Sequence, residues 1–172
     1  MKKSYVKQYY AQALFELLKK KPLQEISITD LVKKAGASRA SFYRNYTSKE
    51  QIIEEYLQEV FVEISRRHKF TAENMVAETG SIFAKLYEHR AALSVLSKAG
   101  QLDLVDRFLY QETLDQILRL NVLNNKYQPY FFAGATSALI KAWIAFGFEE
   151  SPEEMTDIFF HSLAGYMDIP NQ

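Results

Sequence analysis

A chain of 172 residues that is 48% apolar and 24% charged can bury a core, which excludes a disordered polymer, and its length suits one large domain or two small ones. It has no cysteine, which excludes a disulfide framework and a cysteine zinc site and fits a reducing cytoplasm. The formal charge of zero hides a division: residues 1–50 hold eleven Lys and Arg against four Asp and Glu, a net of +7, and residues 51–172 hold ten against seventeen, a net of −7. A basic head on an acidic body is the pattern of a polyanion-binding module joined to one that binds no polyanion.

Six Gly and four Pro are few for this length and favour long helices, and helical period runs throughout. Met1–Tyr10 lacks the apolar core of a signal peptide. Tyr5, Tyr9, Ala13, Leu14, Leu17 and Leu18 form one stripe, which predicts a first helix over 4–20, stopped by Pro22. Ser27 with Asp30 three residues on predicts a capping box opening a helix over 28–35. Gly36 suits the left-handed residue at its end, and Ser38 caps a third helix over 39–45. Two short helices around a tight turn, the second carrying Ser38, Arg39, Ser41, Tyr43 and Arg44, are the layout of a helix-turn-helix whose second helix enters the major groove.

Ser48, with Gln51 in the box position, caps a long fourth helix through Ile52, Ile53, Tyr56, Leu57, Val60, Phe61 and Ile64 to about His68. It is the natural connector between head and body. Further helices are read over 72–88, 90–98 and 102–123, with Gly80 and Gly100 blurring the ends. Another follows over 130–147. Ser151 at N-cap and Pro152 at the first helical position open a last one to about 167. The expectation is an all-α fold of about nine helices. Residues 1–48 form a helix-turn-helix domain and 49–172 a helical effector-binding and dimerisation domain, with helix 4, about 49–68, as connector. The apolar run at Ala133–Phe148 carries Lys141 and is too short to argue a membrane span.

The segment from Ile28 to Leu57, with Ala35-Gly36, Phe42-Tyr43, Tyr46 and Lys49-Glu50, resembles the N-terminal domain of the tetracycline-repressor (TetR) family of bacterial transcription regulators. Asn45 stands where that family usually has His, and Tyr46 where it usually has Phe. The motif-level resemblance covers about the first 60 residues. The stretch Trp143–Met155 is similar to the junction of the last two helices in a branch that includes regulators of dihydroxyacetone kinase operons.

Helix N-termini bind phosphate through free N–H groups and the helix dipole. Ser27 and Thr29 at the second helix, and Ser48 and Lys49 at the fourth, are therefore candidate phosphate contacts. The resemblance implies the same for Lys49 and Tyr43. Base reading falls to Ser38, Arg39, Ala40, Ser41 and Arg44, since arginine pairs with guanine and small residues admit the helix to the groove floor. Lys2, Lys3 and Lys7 are further backbone candidates.

Body chemistry is not enzymatic. His68, His89 and His161 lack metal-ligand spacing, no phosphate loop or nucleophile elbow is present, and no cofactor or metal site is read. The helix near 130–147 is apolar nearly all round, so both its sides should be buried, one in its own domain and one in a second subunit. Gly134, Ala138, Ala142 and Ala145, with Phe159, Leu163 and Met167 of the last helix, are the expected interface of a homodimer. The resemblance implies a ligand pocket in the body, for which Tyr56, Phe83, Tyr87, Phe108 and Trp143 are the candidate lining. The expected function is sequence-specific binding of double-stranded DNA at a palindromic operator. It would make the chain a repressor governed by a small-molecule effector of unknown identity. The alternative is a similar regulator that acts through a protein partner, a co-activator with weak or no DNA binding.

Overall fold

The computed structural model describes residues 5–65, 73–120 and 125–167, and for residues 65 and 164–167 the backbone alone. Every regular element among these residues is helical. They are α1 (Tyr5–Leu18), a 3-10 turn (Leu23–Glu25), α2 (Ile28–Ala35), α3 (Arg39–Asn45), α4 (Glu50–Ser65), α5 (Met75–Glu88), α6 (Arg90–Lys98), α7 (Leu102–Leu120), α8 (Gln128–Ala145) and α9 (Pro152–Met167). Lys2, Lys3, His68 and the expected helix ends at 66–68, 72 and 121–123 lie outside the described residues. No described helix is long and apolar enough to cross a membrane.

Local chemistry accounts for the starts and stops. At α2 the Ser27 hydroxyl accepts from the Asp30 amide at 3.0 Å and the Asp30 carboxylate accepts from the Ser27 amide at 3.1 Å, the reciprocal box. Gly36 closes α2 at φ 64°, where a Cβ is strained. Ser38 caps α3 through the Ser41 amide. At α4, Ser48 accepts from the Gln51 amide, but the Gln51 side chain reaches back one residue further than expected, to the Thr47 amide at 2.7 Å. The 3-10 turn after Pro22 was not expected; its buried Leu23 ties the α1–α2 connection to the core.

The buried face of α1 is Tyr10, Ala13, Leu14 and Leu18, not the stripe led by Tyr5 and Tyr9, which are 78% and 56% exposed. Adjacent tyrosines sit 100° apart on a helix, and tertiary packing chose the second. Tyr10 meets Phe42 and Tyr46 edge-on at 5.7 and 5.8 Å, forming the aromatic centre of the head.

Helix α4 packs on α1 at one end and on α5 and α7 in the body. The body is two helix pairs, α7 on α8 and α5 on α9, with α6 bridging α8 to α1. Gly80 does not end a helix. It lies inside α5, where a Cβ would stand 3.4 Å from the Thr156 hydroxyl of α9. Helix α8 buries Ala133, Ser137, Ile140, Trp143 and Ile144, while Phe131, Ala135, Ala138 and Ala145 are exposed on its other side.

Candidate nucleic-acid interface and body cavity

The outer surface of α3 presents Ser38, Arg39, Ala40, Tyr43 and Arg44, all exposed, with Ser41 half-buried beside them. Phe42 is fully buried and anchors the helix from beneath. The Tyr10 hydroxyl donates to the Ser38 carbonyl at 3.3 Å, fixing the N-terminus of α3 to α1. Arg39 reaches the Thr29 hydroxyl at 3.4 Å, so the starts of α2 and α3 share one face with Ser27 and Thr29 exposed on it. The exposed pair Lys33 and Lys34 closes α2.

Two lysines named as backbone candidates are otherwise engaged. The Lys49 ammonium donates to the carbonyls of Leu23 at 2.6 Å and Ile26 at 2.5 Å, stapling the start of α4 to the α1–α2 connection. Two of its three protons are thus held by protein carbonyls, a tie between residues 23 and 26 positions apart that no local pattern reveals. Lys7 pairs with Glu55 at 2.9 Å and sits 5.3 Å from the Tyr46 ring. Burial first, then the Glu55 carboxylate, pushes the Tyr46 phenol up, so it remains a neutral donor to that carboxylate.

The body holds a cavity of about 280 Å³ between its two helix pairs. Phe61 and Ile64 of α4 form one wall, Phe83 of α5, Phe132 of α8 and Phe159 of α9 form others, and Glu112 and Arg119 of α7 are the charged groups among the described lining residues. Of the five aromatic residues expected there, Phe83 alone lines it. Trp143, on the buried side of α8, is stacked on Tyr87 and edge-on to Phe148 at 4.7 Å, with its indole N–H donating to the Glu150 carbonyl at 3.1 Å. Phe108 lies behind Phe61 at 5.2 Å. Tyr56 belongs to the joint between head and body: its ring meets Phe15 of α1 edge-on at 4.8 Å, and its hydroxyl lies 3.2 Å from Nδ1 of His89 at the α5–α6 corner. Burial raises the Tyr56 phenol to about 12.

On the expected dimer surface, Ala138 and Ala145 are exposed and Gly134 and Ala142 half-buried. Phe159 and Leu163 turn inward and line the cavity; Phe83 holds the Phe159 ring at 6.0 Å. The outward side of α9 is Asp157, Ile158, His161 and Ser162. The Met167 side chain lies outside the described residues. No group of His, Asp and Glu able to hold a metal occurs among the described residues.

Residues 12–56 match the family model described as bacterial regulatory proteins, tetR family. No curated protein matches the chain. Among solved structures, Lin0861 from Listeria innocua is similar at a TM-score of 0.72 and 19% identity, covering 98% of this chain and 96% of that one. A tetR-family transcriptional regulator from Streptomyces coelicolor is similar at 0.60 and 21%, covering 97% and 82%. The fatty acid degradation regulator FadR from Bacillus halodurans is similar at 0.56 and 11%, covering 100% of both. At these identities the likeness is one of fold, and it extends over head and body together.

Proposed function

From the premise that this chain is a DNA-binding transcriptional regulator with a tetR-family head, we propose that it is a repressor whose hold on a palindromic operator is governed by a small molecule in the body cavity. The observation that carries this reading is the double role of α4. Phe61 and Ile64 line the cavity, while the first half of the same helix, with Ile52, Ile53 and Leu57 buried, packs against α1. A second route supports it. Helix α5 lines the cavity with Thr79, Ile82 and Phe83 and ends at His89, which touches Tyr56 on α4. A ligand that shifts either helix therefore shifts the seat of the head. By linkage it weakens DNA binding only if it favours the orientation that does not bind DNA.

The outward face of α8, with Phe131, Ala135, Ala138 and Ala142, and the adjoining face of α9 form the proposed two-fold interface. Two heads related by that axis read two half-sites, one with each α3. The exposed Arg39 and Arg44 favour this over action through a protein partner, which has no need of a basic recognition helix. The test is fluorescence anisotropy with labelled DNA from upstream of the protein's own gene, with and without compounds that raise its melting temperature. The expected result is tight, salt-sensitive binding that a stabilising compound weakens. If every compound that stabilises the protein leaves operator affinity unchanged, effector control is wrong.

A further inference from the structure

The lining of the cavity is asymmetric in charge. Among the described residues, five phenylalanine rings contribute to it, Phe61, Phe83, Phe132, Phe159 and Phe160, and the two charged lining groups come from one helix, α7. Those two are not equivalent. Arg119 is exposed on the last turn of α7, with its Nε donating to the Asp115 carbonyl at 3.1 Å, so water and salt screen its charge. Glu112 lies two turns deeper, is half-buried, and has no ion-pair partner among the described residues. Aromatic faces carry negative quadrupole density and attract cations. A half-buried, unpaired carboxylate beside such rings favours a positive ligand. An anion would add a second negative charge beside Glu112 and oppose the ring faces. The net charge of −7 on residues 51–172 acts in the same direction.

We propose that the cavity takes an organic monocation, with its apolar part among the phenylalanines and its cationic head at Glu112. This rests on the reading of the cavity as the effector site and adds the class of effector. A cavity of about 280 Å³ holds about ten non-hydrogen atoms, at roughly 30 Å³ for each water-sized unit. A quaternary ammonium with a medium alkyl or single-ring substituent has that size.

The experiment compares three ligands that share one tail and differ in the head: octyltrimethylammonium, octan-1-ol and octanoate, each below its micellar concentration. Binding is read by thermal shift and by the fluorescence of Trp143, the one tryptophan, whose ring lies 5.7 Å from Phe83 on the cavity wall. The ammonium is expected to bind about tenfold or more tightly than the alcohol, with octanoate weakest. Glu112→Gln should bring the ammonium down to the alcohol without changing the alcohol, and Glu112→Asp, which keeps the charge, should retain the preference. Equal or tighter binding of the alcohol or octanoate to the wild type overturns the cationic class and leaves the cavity as an effector site. A preference that survives in Glu112→Gln overturns the placement of the cationic head at Glu112. Failure of all three to bind removes the cavity as an effector site and the class with it.

Discussion

At the scale of single residues, a side chain's partners decide its role more than its type does. Arg39, Arg44 and Lys49 are all cations of the head, yet the arginines stand exposed on α3 while Lys49 is bound to the Leu23 and Ile26 carbonyls. Arg39→Ala and Arg44→Ala should therefore leave the melting temperature nearly unchanged. Each should lower the preference for operator over scrambled DNA by about 1–3 kcal/mol. Lys49→Ala should instead destabilise the head by about 1–3 kcal/mol, through two lost charge-assisted hydrogen bonds. Calorimetry and a salt titration on both DNAs separate the cases. A Lys49→Ala protein that melts like wild type but loses about one unit of salt slope would make Lys49 a phosphate contact. Tyr43→Phe removes one exposed hydroxyl and should cost a small, sequence-independent share of affinity.

Asp30 offers a second test at this scale. The Lys21 ammonium, at 2.9 Å, and the Ser27 amide hold its carboxyl down at about 2, against an ordinary value of 3.8. A depressed carboxyl stabilises the fold above its unfolded-state value and loses that contribution as pH falls toward the folded one. Asp30→Asn should thus lower the melting temperature at neutral pH, with the gap to wild type closing between about pH 4 and 2. A gap that stays constant down to pH 2 would mean the carboxylate's charge contributes nothing to the α2 cap.

At the scale of elements, α4 and the α8–α9 corner are the joints. Tyr56 touches Phe15 of α1 through its ring and His89 through its hydroxyl. Tyr56→Phe keeps the ring contact and removes the link to the α5–α6 corner. Operator affinity without effector should change little, while the effector-induced loss should shrink severalfold, the coupling energy being the quantity altered. Anisotropy with and without a stabilising ligand reads both; an unchanged ratio would place the coupling elsewhere on α4. The α8–α9 corner accounts for the Trp143–Met155 motif by packing alone. Gly147 and Phe148 stop α8 at φ 79° and 61°, and Trp143 covers Phe148 while donating to Glu150. Ser151 and Glu154 then form a second reciprocal cap.

At the scale of the molecule, the outward face of α8 is the surface to test. Ala138 is exposed and Ala142 half-buried on a side carrying Phe131 and Ala135. Sedimentation at micromolar concentration should give twice 19.9 kDa. Ala138→Glu or Ala142→Glu should give monomers that keep their helical content, because dimerisation would bury an unpaired charge. A protein that stays monomeric at high concentration, or a dimer untouched by either change, would displace the two-fold from α8. A dimer of this kind would bring two heads of net charge +7 to one DNA, so operator binding should weaken steeply with salt.

What could be read along the chain was what depends on neighbours within about four residues. The box at Ser27, the caps at Ser38 and Ser151 and the glycine stop at Gly36 act through hydrogen bonds that short. Charge division and helical period are likewise properties of order along the chain, and with them came the all-helical fold and the helix-turn-helix head. The rest required distant segments to meet. Tyr9 and Tyr10 are equivalent in the sequence until Phe42 and Tyr46 arrive against one of them. The partners of Lys49 come from the other side of α2. Trp143 and Phe159 are both apolar ring residues, and only the pairing of α7 with α8 and α5 with α9 sends one under the corner and the other into the cavity. Periodicity says that a residue is buried; which neighbour buries it depends on the crossing of helices far apart in the chain.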